Sequence, residues 1–274
     1  MSSGKNTKYW ALILGASSGF GGATAIKLAA DGYNIIGIHL DRQATMPQVE
    51  KTIKSIESSG AEALFFNVNA ADEFKRREIV QELIKKLKGL PLIKIVMHSL
   101  AFGALRPYIS KSNDHLTKAQ MQMTLDVMAH SLVYWVQDVV KNNMLANKAR
   151  IFAMTSSGSH SAIPYYGAVS AAKASLESHV RQLSVELGSK FGASVNSIMA
   201  GVTDTPALRK IPGNLDMIEI AQRKNPHGRL TTPEDVAKII SLLCKDGGEW
   251  ISGGLIHADG GEDIVNYVGQ GKKS

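Results

Sequence analysis

Seven short apolar runs, spaced along the chain with helical patterns between them, constrain the fold more than any other feature of this sequence. They are Trp10–Leu14, Asn34–His39, Ala63–Val68, Ile93–His98, Arg150–Met154, Ser194–Met199 and Leu255–Ala258. Runs that are continuous rather than alternating read as strands buried on both faces, which means a parallel sheet covered by helices on either side. Helical candidates lie between them, near Gly21–Ala30, Gln48–Ser58, Glu73–Lys88, Lys118–Asn143, Tyr166–Lys190 and Pro233–Leu243. This β-α-β order predicts a doubly wound α/β fold with a seven-stranded parallel sheet of the nucleotide-binding kind. Asp31-Gly32 ends the first helix with a C-terminal glycine, and Thr232-Pro233-Glu234 opens the last with a cap residue and a first-position proline. The stretch Thr203–Leu230 breaks the alternation. Dotted with Pro, Asn and Gly after a strand's carboxyl end, residues 203–230 predict a small helical lid over a substrate site.

Composition limits the alternatives. With 274 residues, 44% of them hydrophobic, the chain can bury one large core, and no Pro-rich, Ser-rich or charge-block linker divides it, so 1–274 reads as a single domain. The single cysteine, Cys244, excludes an intramolecular disulfide and Cys-based metal clusters and suits a reducing cytoplasm; within Ile239–Cys244 it reads as a buried, inert thiol. No metal site is expected. Met1 to Lys8 is polar and carries no export signal, and no segment reaches the roughly 18 to 20 apolar residues of a membrane span. The net charge of +7 is spread over helix faces interleaved with Glu, and no basic run is interleaved with aromatic residues, which disfavours nucleic-acid binding. A basic enzyme would attract an acidic carrier protein or a phosphorylated cofactor.

Between the first strand and first helix lies Gly15-Ala16-Ser17-Ser18-Gly19-Phe20-Gly21-Gly22. Gly15 suits a tight turn, while Gly19 and Gly21 remove side chains where a pyrophosphate would meet backbone N–H groups at a helix N-terminus. In that context the candidate cofactor contacts are Gly15, Ser17, Ser18, Gly19, Phe20 and Gly21. The tip of the second strand is His39, with Asp41 two residues beyond. An acid at the tip would accept from a ribose 2′-OH and repel a 2′-phosphate, whereas His39 with Arg42 would meet that phosphate. The count favours NADPH; a shift of two residues would favour NADH, and His39 is equally readable as an ordinary strand end.

The segment Ser156–Lys173 holds the remaining chemistry. The glycine loop resembles that of the short-chain dehydrogenase/reductases, whose usual pattern is Tyr, three residues, then Lys; here Tyr166 stands seven residues before Lys173, and the position four before it is Val169. At about 100° per residue a separation of seven returns to within roughly 20° of the same helix face, and moving from four to seven shifts the phenol by about 4.5 Å along the axis. With Lys173 on the nicotinamide ribose, as that resemblance implies, a phenol so placed suits an oxygen remote from the carbon that receives hydride. In an α,β-unsaturated thioester hydride attacks Cβ while charge collects on the carbonyl oxygen, which Tyr166 would stabilise as in an oxyanion hole. Lys173 would bind ribose hydroxyls and favour the tyrosinate electrostatically. Ser156 would hydrogen-bond substrate or cap the strand end.

The glycine spacing Gly-x-x-x-Gly-x-Gly resembles the short-chain dehydrogenase/reductases over nearly the whole chain, implying a Rossmann fold and nicotinamide chemistry. The Tyr-x6-Lys spacing is similar to the divergent branch of bacterial enoyl-acyl-carrier-protein reductases. So are Met97–Phe102, Asp126-Val127 with Met128 and Ser131–Val133, and Ala162–Pro164 with Lys173–Glu177. Gly103–Pro107 and Asp204–Leu208 look more like the third, NADPH-dependent class. Many enoyl reductases carry a second tyrosine where this chain has Ser156. The resemblance adds candidate cofactor contacts: Asn67 and Val68 against adenine, Ser99, Leu100 and Ala101 after the fourth strand, and Val202, Thr203 and Thr205 after the sixth. It implies reduction of trans-2-enoyl thioesters on acyl carrier protein, and a homotetramer. Two rivals stand beside it. A carbonyl, 3-oxoacyl or hydroxysteroid-type reductase would need a tyrosine at 169 and an asparagine near 128; a nucleotide-sensing protein would keep the cofactor site without turnover. His98 and His160 read as structural. Arg209, Lys210, Arg223, Lys224 and Arg229 decorate the lid, solvated or facing an acidic carrier.

Overall fold

The computed structural model describes residues 8–266, so the polar start Met1–Thr7 lies outside the described residues. Seven strands, β1 (Trp10–Leu14), β2 (Asn34–His39), β3 (Ala63–Asn67), β4 (Ile93–His98), β5 (Leu145–Thr155), β6 (Ser194–Ala200) and β7 (Leu255–Ala258), form one sheet. Every pairing is parallel, in the order β3-β2-β1-β4-β5-β6-β7. The chain winds outward from β1 to one edge and then from β4 to the other. That reversal opens a crevice above the carboxyl ends of β1 and β4, where ligands of open α/β sheets bind.

The buried strands need cover on both faces, and the helices divide accordingly. One face is covered by α1 (Gly19–Ala30), α2 (Met46–Ser58) and α8 (Pro233–Leu243), with Leu28, Ile56 and Ile240 packed on Ile13, Ile35 and Ile198. The other carries α3 (Glu73–Leu87), α4 (Lys118–Leu125), α5 (Ser131–Lys141) and α6 (Gly167–Phe191), closed over Leu12, Ile36 and Val96. Trp135 is fully buried there, and its indole N–H donates to the Ala70 carbonyl at 2.9 Å. α8 starts on Thr232, whose hydroxyl accepts from the Asp235 amide while Asp235 accepts from the Thr232 amide, a reciprocal cap.

Three local differences from the sequence expectation have physical causes. The helix expected over Lys118–Asn143 is broken by a π-helical turn at Asp126–His130. Thr124 and Ser131 bond back to the carbonyls of Gln120 and Val127, and Tyr134 reaches the Asp126 carboxylate, so both flanks are pinned while the wide turn packs Val127, Met128 and Ala129 inward. A one-residue widening leaves no mark in a 3.6-residue pattern. β5 begins at Leu145, five residues early, because its register with β4 slips where Lys148 takes a left-handed φ of 54°. α6 begins at Gly167, so Tyr166 is its cap residue rather than its first helical one.

The lid region after β6 holds a short helical turn at Leu208–Lys210 and α7 (Asn214–Lys224). Among the described residues, no helix is long and apolar enough to cross a membrane.

Candidate active site

A cavity of about 310 Å³ opens over the carboxyl ends of β4, β5 and β6 and beneath the lid. It brings together ten of the residues singled out in the sequence: Phe20, Ser99, Leu100, Ala101, Ser156, Tyr166, Lys173, Val202, Thr203 and Thr205. The lid contributes Leu208, Lys210, Ile211, Met217 and Lys224. Gly15, Ser17, Ser18, Gly19, Gly21, His39, Asn67 and Val68 lie outside this cavity, along the ends of β1, β2 and β3.

The glycine loop is packed as a close-approach device. A Cβ on Gly15, where φ is 92°, would stand 2.3 Å from the Ser99 carbonyl oxygen, and one on Gly21 would stand 2.0 Å from the Gly15 oxygen. Gly19 (φ 55°) instead borders open space, with Thr205 across it, and α1 has no acidic residue in its first turn. Backbone N–H groups, a positive helix end and room beside them fit the pyrophosphate of a dinucleotide.

At the end of β2 the structure rearranges the expected contacts. His39 is buried, and its Nδ1 lies 3.0 Å from an Asp41 carboxylate oxygen. Hydrogen bonds from Ser17, Thr45 and His39 outweigh burial and hold the Asp41 carboxyl below its usual range. Asn67 spends both side-chain ends on the Asp41 backbone, accepting from its N–H and donating to its carbonyl, each at 2.9 Å. Val68 donates its N–H to the His39 carbonyl and packs into the core. The group beside the glycine loop is therefore Asp41, while Asn67 and Val68 bond the backbone of Asp41 and His39. Arg42 is exposed.

Tyr166 owes its position to a turn. Its N–H bonds the Ile163 carbonyl at 3.1 Å across Pro164 and Tyr165, and Tyr165 takes φ 64°. A non-glycine residue in that region costs on the order of 1–2 kcal/mol, strain held at the rim of the site. Gly158 lies under the phenol ring; a Cβ there would come within 2.8 Å of it. Burial raises the Tyr166 pKa, with a Ser156 hydrogen bond opposing it. Ser156 also accepts from the Gly158 N–H at 3.2 Å, so it caps the strand end and faces the phenol at once.

Lys173 is buried, and its ammonium donates to the carbonyls of Met154 (2.7 Å) and Leu100 (3.4 Å), leaving one donor for a ligand. Burial pushes its pKa down to about 8, with Glu177 working against the fall. Lys173 is not among the groups acting on Tyr166. The expected tyrosinate thus gives way to a neutral phenol, because burial dominates and the ammonium is committed to backbone oxygens.

Val169 and Met128 stand where a carbonyl reductase would need tyrosine and asparagine. They meet at Gly103: a Cβ on that glycine would lie 2.7 Å from Val169 and 3.0 Å from the Met128 sulfur. That wall of the cavity is apolar. His98 is wholly buried, its Nε2 3.0 Å from the Ser131 hydroxyl, and burial drives its pKa down to about 3. It is neutral and structural. His160 pairs with Asp263 at 3.3 Å near the rim. Cys244, expected to be buried, is half-buried, and desolvation pushes its thiol up to about 12. Of the lid cations, Arg209, Arg223 and Arg229 are paired with Asp204, Glu219 and Asp235.

Sequence reasoning missed Glu262, Asp259 and Asp263, which line the cavity from the turn after β7. Their signal was the glycine pair Gly260-Gly261 directly after a strand end, the same punctuation that marked the first loop.

A family model described as Enoyl-(Acyl carrier protein) reductase matches residues 15–262, and the chain belongs to this enoyl-reductase-like family of short-chain dehydrogenase/reductases. It is an oxidoreductase of nicotinamide type, similar to several curated enzymes. One is the enoyl-acyl-carrier-protein reductase (NADH) FabI of Aquifex aeolicus, 26% identical over 246 residues, covering 88% of this chain and 87% of that protein. Another is the L-2,3-butanediol dehydrogenase of Corynebacterium glutamicum, 24% identical over 261 residues, covering 92% and 97%. The fold matches the enoyl-acyl-carrier-protein reductase of Anaplasma phagocytophilum, crystallised with NAD, at a TM-score of 0.80 and 20% identity, over 97% of this chain and 96% of that one.

Proposed function

We propose that this protein reduces the carbon–carbon double bond of trans-2-enoyl thioesters. The observation that carries the proposal is the phenol of Tyr166 at the cap of α6, the one tyrosine lining the cavity among the described residues, with apolar Val169 and Met128 filling the places a ketone reductase would use. A bound nicotinamide would supply hydride to Cβ. Tyr166, kept neutral by burial, would donate a hydrogen bond to the thioester oxygen as it becomes an enolate, and a proton taken up at Cα would then complete the reduction. Ser156 would steady that phenol, and Lys173 would hold ribose hydroxyls with its remaining donor. The apolar wall formed by Leu105, Met128, Ile163 and Val169 suits an acyl chain.

For the cofactor, the sequence count favoured NADPH, but Asp41 turned toward the glycine loop argues for NADH, since a carboxylate accepts from a 2′-OH and repels a 2′-phosphate. Acyl carrier protein as the thioester's carrier, a homotetrameric assembly and a cytoplasmic setting belong to the same proposal. Lys210 and Lys224, lid cations that line the cavity, would meet the prosthetic arm of an acidic carrier.

The deciding experiment compares NADH and NADPH oxidation with crotonyl and acetoacetyl thioesters, for the wild type and Tyr166→Phe. Enoyl turnover is expected to fall about 100-fold in the variant with dinucleotide affinity retained. Preferential turnover of the ketone would assign the carbonyl-reductase rival suggested by the butanediol dehydrogenase relative.

A further inference from the structure

Glu262 is the most unusual group in the cavity. It is 8% exposed, lines the site from the turn after β7, and both of its carboxylate oxygens lie on one donor, the Val202 N–H, at 3.1 and 3.2 Å. Gly201 lets it come so close: a Cβ there would stand 2.7 Å from its Oε2. The neighbouring Asp259 is already occupied, accepting from the Gly261 and Asp263 amides at 2.9 Å each. A carboxylate offers about four accepting positions. Among the described residues, Asn225 is the one further group that hydrogen-bonds Glu262, with Lys224 the nearby cation and Asp259 the opposing charge. Glu262 thus brings spare acceptor capacity and a negative charge to the same wall as Lys173 and Val202.

A nicotinamide carboxamide offers one acceptor oxygen and one donor NH2. The Val202 N–H is already given to Glu262, so the group this pair can still receive is the carboxamide NH2, at the remaining acceptor positions of the Glu262 carboxylate. In a doubly wound sheet whose phosphate loop follows β1, the nicotinamide half of the cofactor falls over β4, β5 and β6, which is where this pair stands. We propose that Glu262 is a positioning residue for the nicotinamide end of the cofactor, accepting from the carboxamide NH2, and that its charge biases the site toward the oxidised, cationic ring. The inference rests on the nicotinamide reading of the cavity and is independent of which substrate is reduced.

Burial raises the Glu262 pKa, so the measurements are made on the alkaline side of neutrality, where the carboxylate is favoured. Dissociation constants for NAD+ and NADH are measured by calorimetry near pH ~8 for the wild type, Glu262→Gln and Glu262→Asp, with thermal melts to confirm folding. Removing one charge a few ångströms from a cationic ring is expected to weaken NAD+ about tenfold more than NADH. Glu262→Asp keeps the charge and should hold the ratio to within about threefold. If Glu262→Gln does not fold, Glu262→Ser, neutral and smaller, is read in the same way. Equal weakening of both redox forms, or no change in either, overturns the inference and leaves the enoyl-reductase proposal standing. Turnover of ketones alone would overturn only that proposal. A wild type that binds neither dinucleotide would sink both.

Discussion

Two buried bases make the pH behaviour of this protein predictable from single residues. His98 is neutral in the fold, with a pKa near 3, and returns to an ordinary value when the chain unfolds. Between those values the unfolded chain binds the extra proton, so stability rises with pH through this window and is lost on acidification from about 6.5 toward 3. The full contribution is on the order of 5 kcal/mol. Thermal melts of the wild type and His98→Gln from about pH 7 to about pH 4 should show a smaller acid-induced fall in the variant; parallel curves would remove His98 as the cause. Lys173 titrates near 8, so its ammonium is present below that pH and lost above it. The KM for dinucleotide is expected to rise about tenfold between roughly pH 7 and pH 9.5, with a smaller change in kcat. The sequence made Tyr166 and Lys173 legible because chemistry-bearing residues at a fixed spacing are readable from one chain. Their protonation was not, because burial depends on the rest of the molecule. Asp41 shows the same limit: strand counting put it past the tip, and only Ser17, Thr45 and His39 together turn it back toward the loop.

Elements were legible where pattern and punctuation agree. β1, β2, β4, β7 and α8 match their expected spans, since apolar runs and the Thr232-Pro233 cap are local signals. The π-helical turn and the early start of β5 were not, because each comes from an irregularity that side-chain periodicity does not record. The turn from Ser156 to α6 is the element on which the chemistry depends. Gly158 leaves room for the Tyr166 ring, and Tyr165 accepts a left-handed backbone to aim it. Gly158→Ala should therefore displace the phenol: enoyl turnover falls at least about tenfold, while the melting temperature moves by only a few degrees, on the order of 1–2 kcal/mol. Unchanged kcat in a folded Gly158→Ala protein would show that the ring tolerates the shift.

At the scale of the whole molecule, the site is a seam between the two helical layers, so a ligand bound there ties them together. NADH at about 100 times its Kd adds about 2.7 kcal/mol to stability, which for a chain of this size is a rise of roughly 5 to 10 °C in melting temperature. NADPH should give the smaller shift, and Asp41→Asn should narrow the difference; a larger shift with NADPH would return the cofactor assignment to the strand-counting expectation. The bond between Val202 and Glu262, sixty residues apart, carries one more consequence. During synthesis the wall behind Val202 stays unfinished until residue 262 has left the ribosome, long after the glycine loop has emerged. If Glu262 holds the nicotinamide end, cofactor is expected to protect only chains that have reached this point, and a product cut short within the lid or α8 should be digested equally fast with and without dinucleotide.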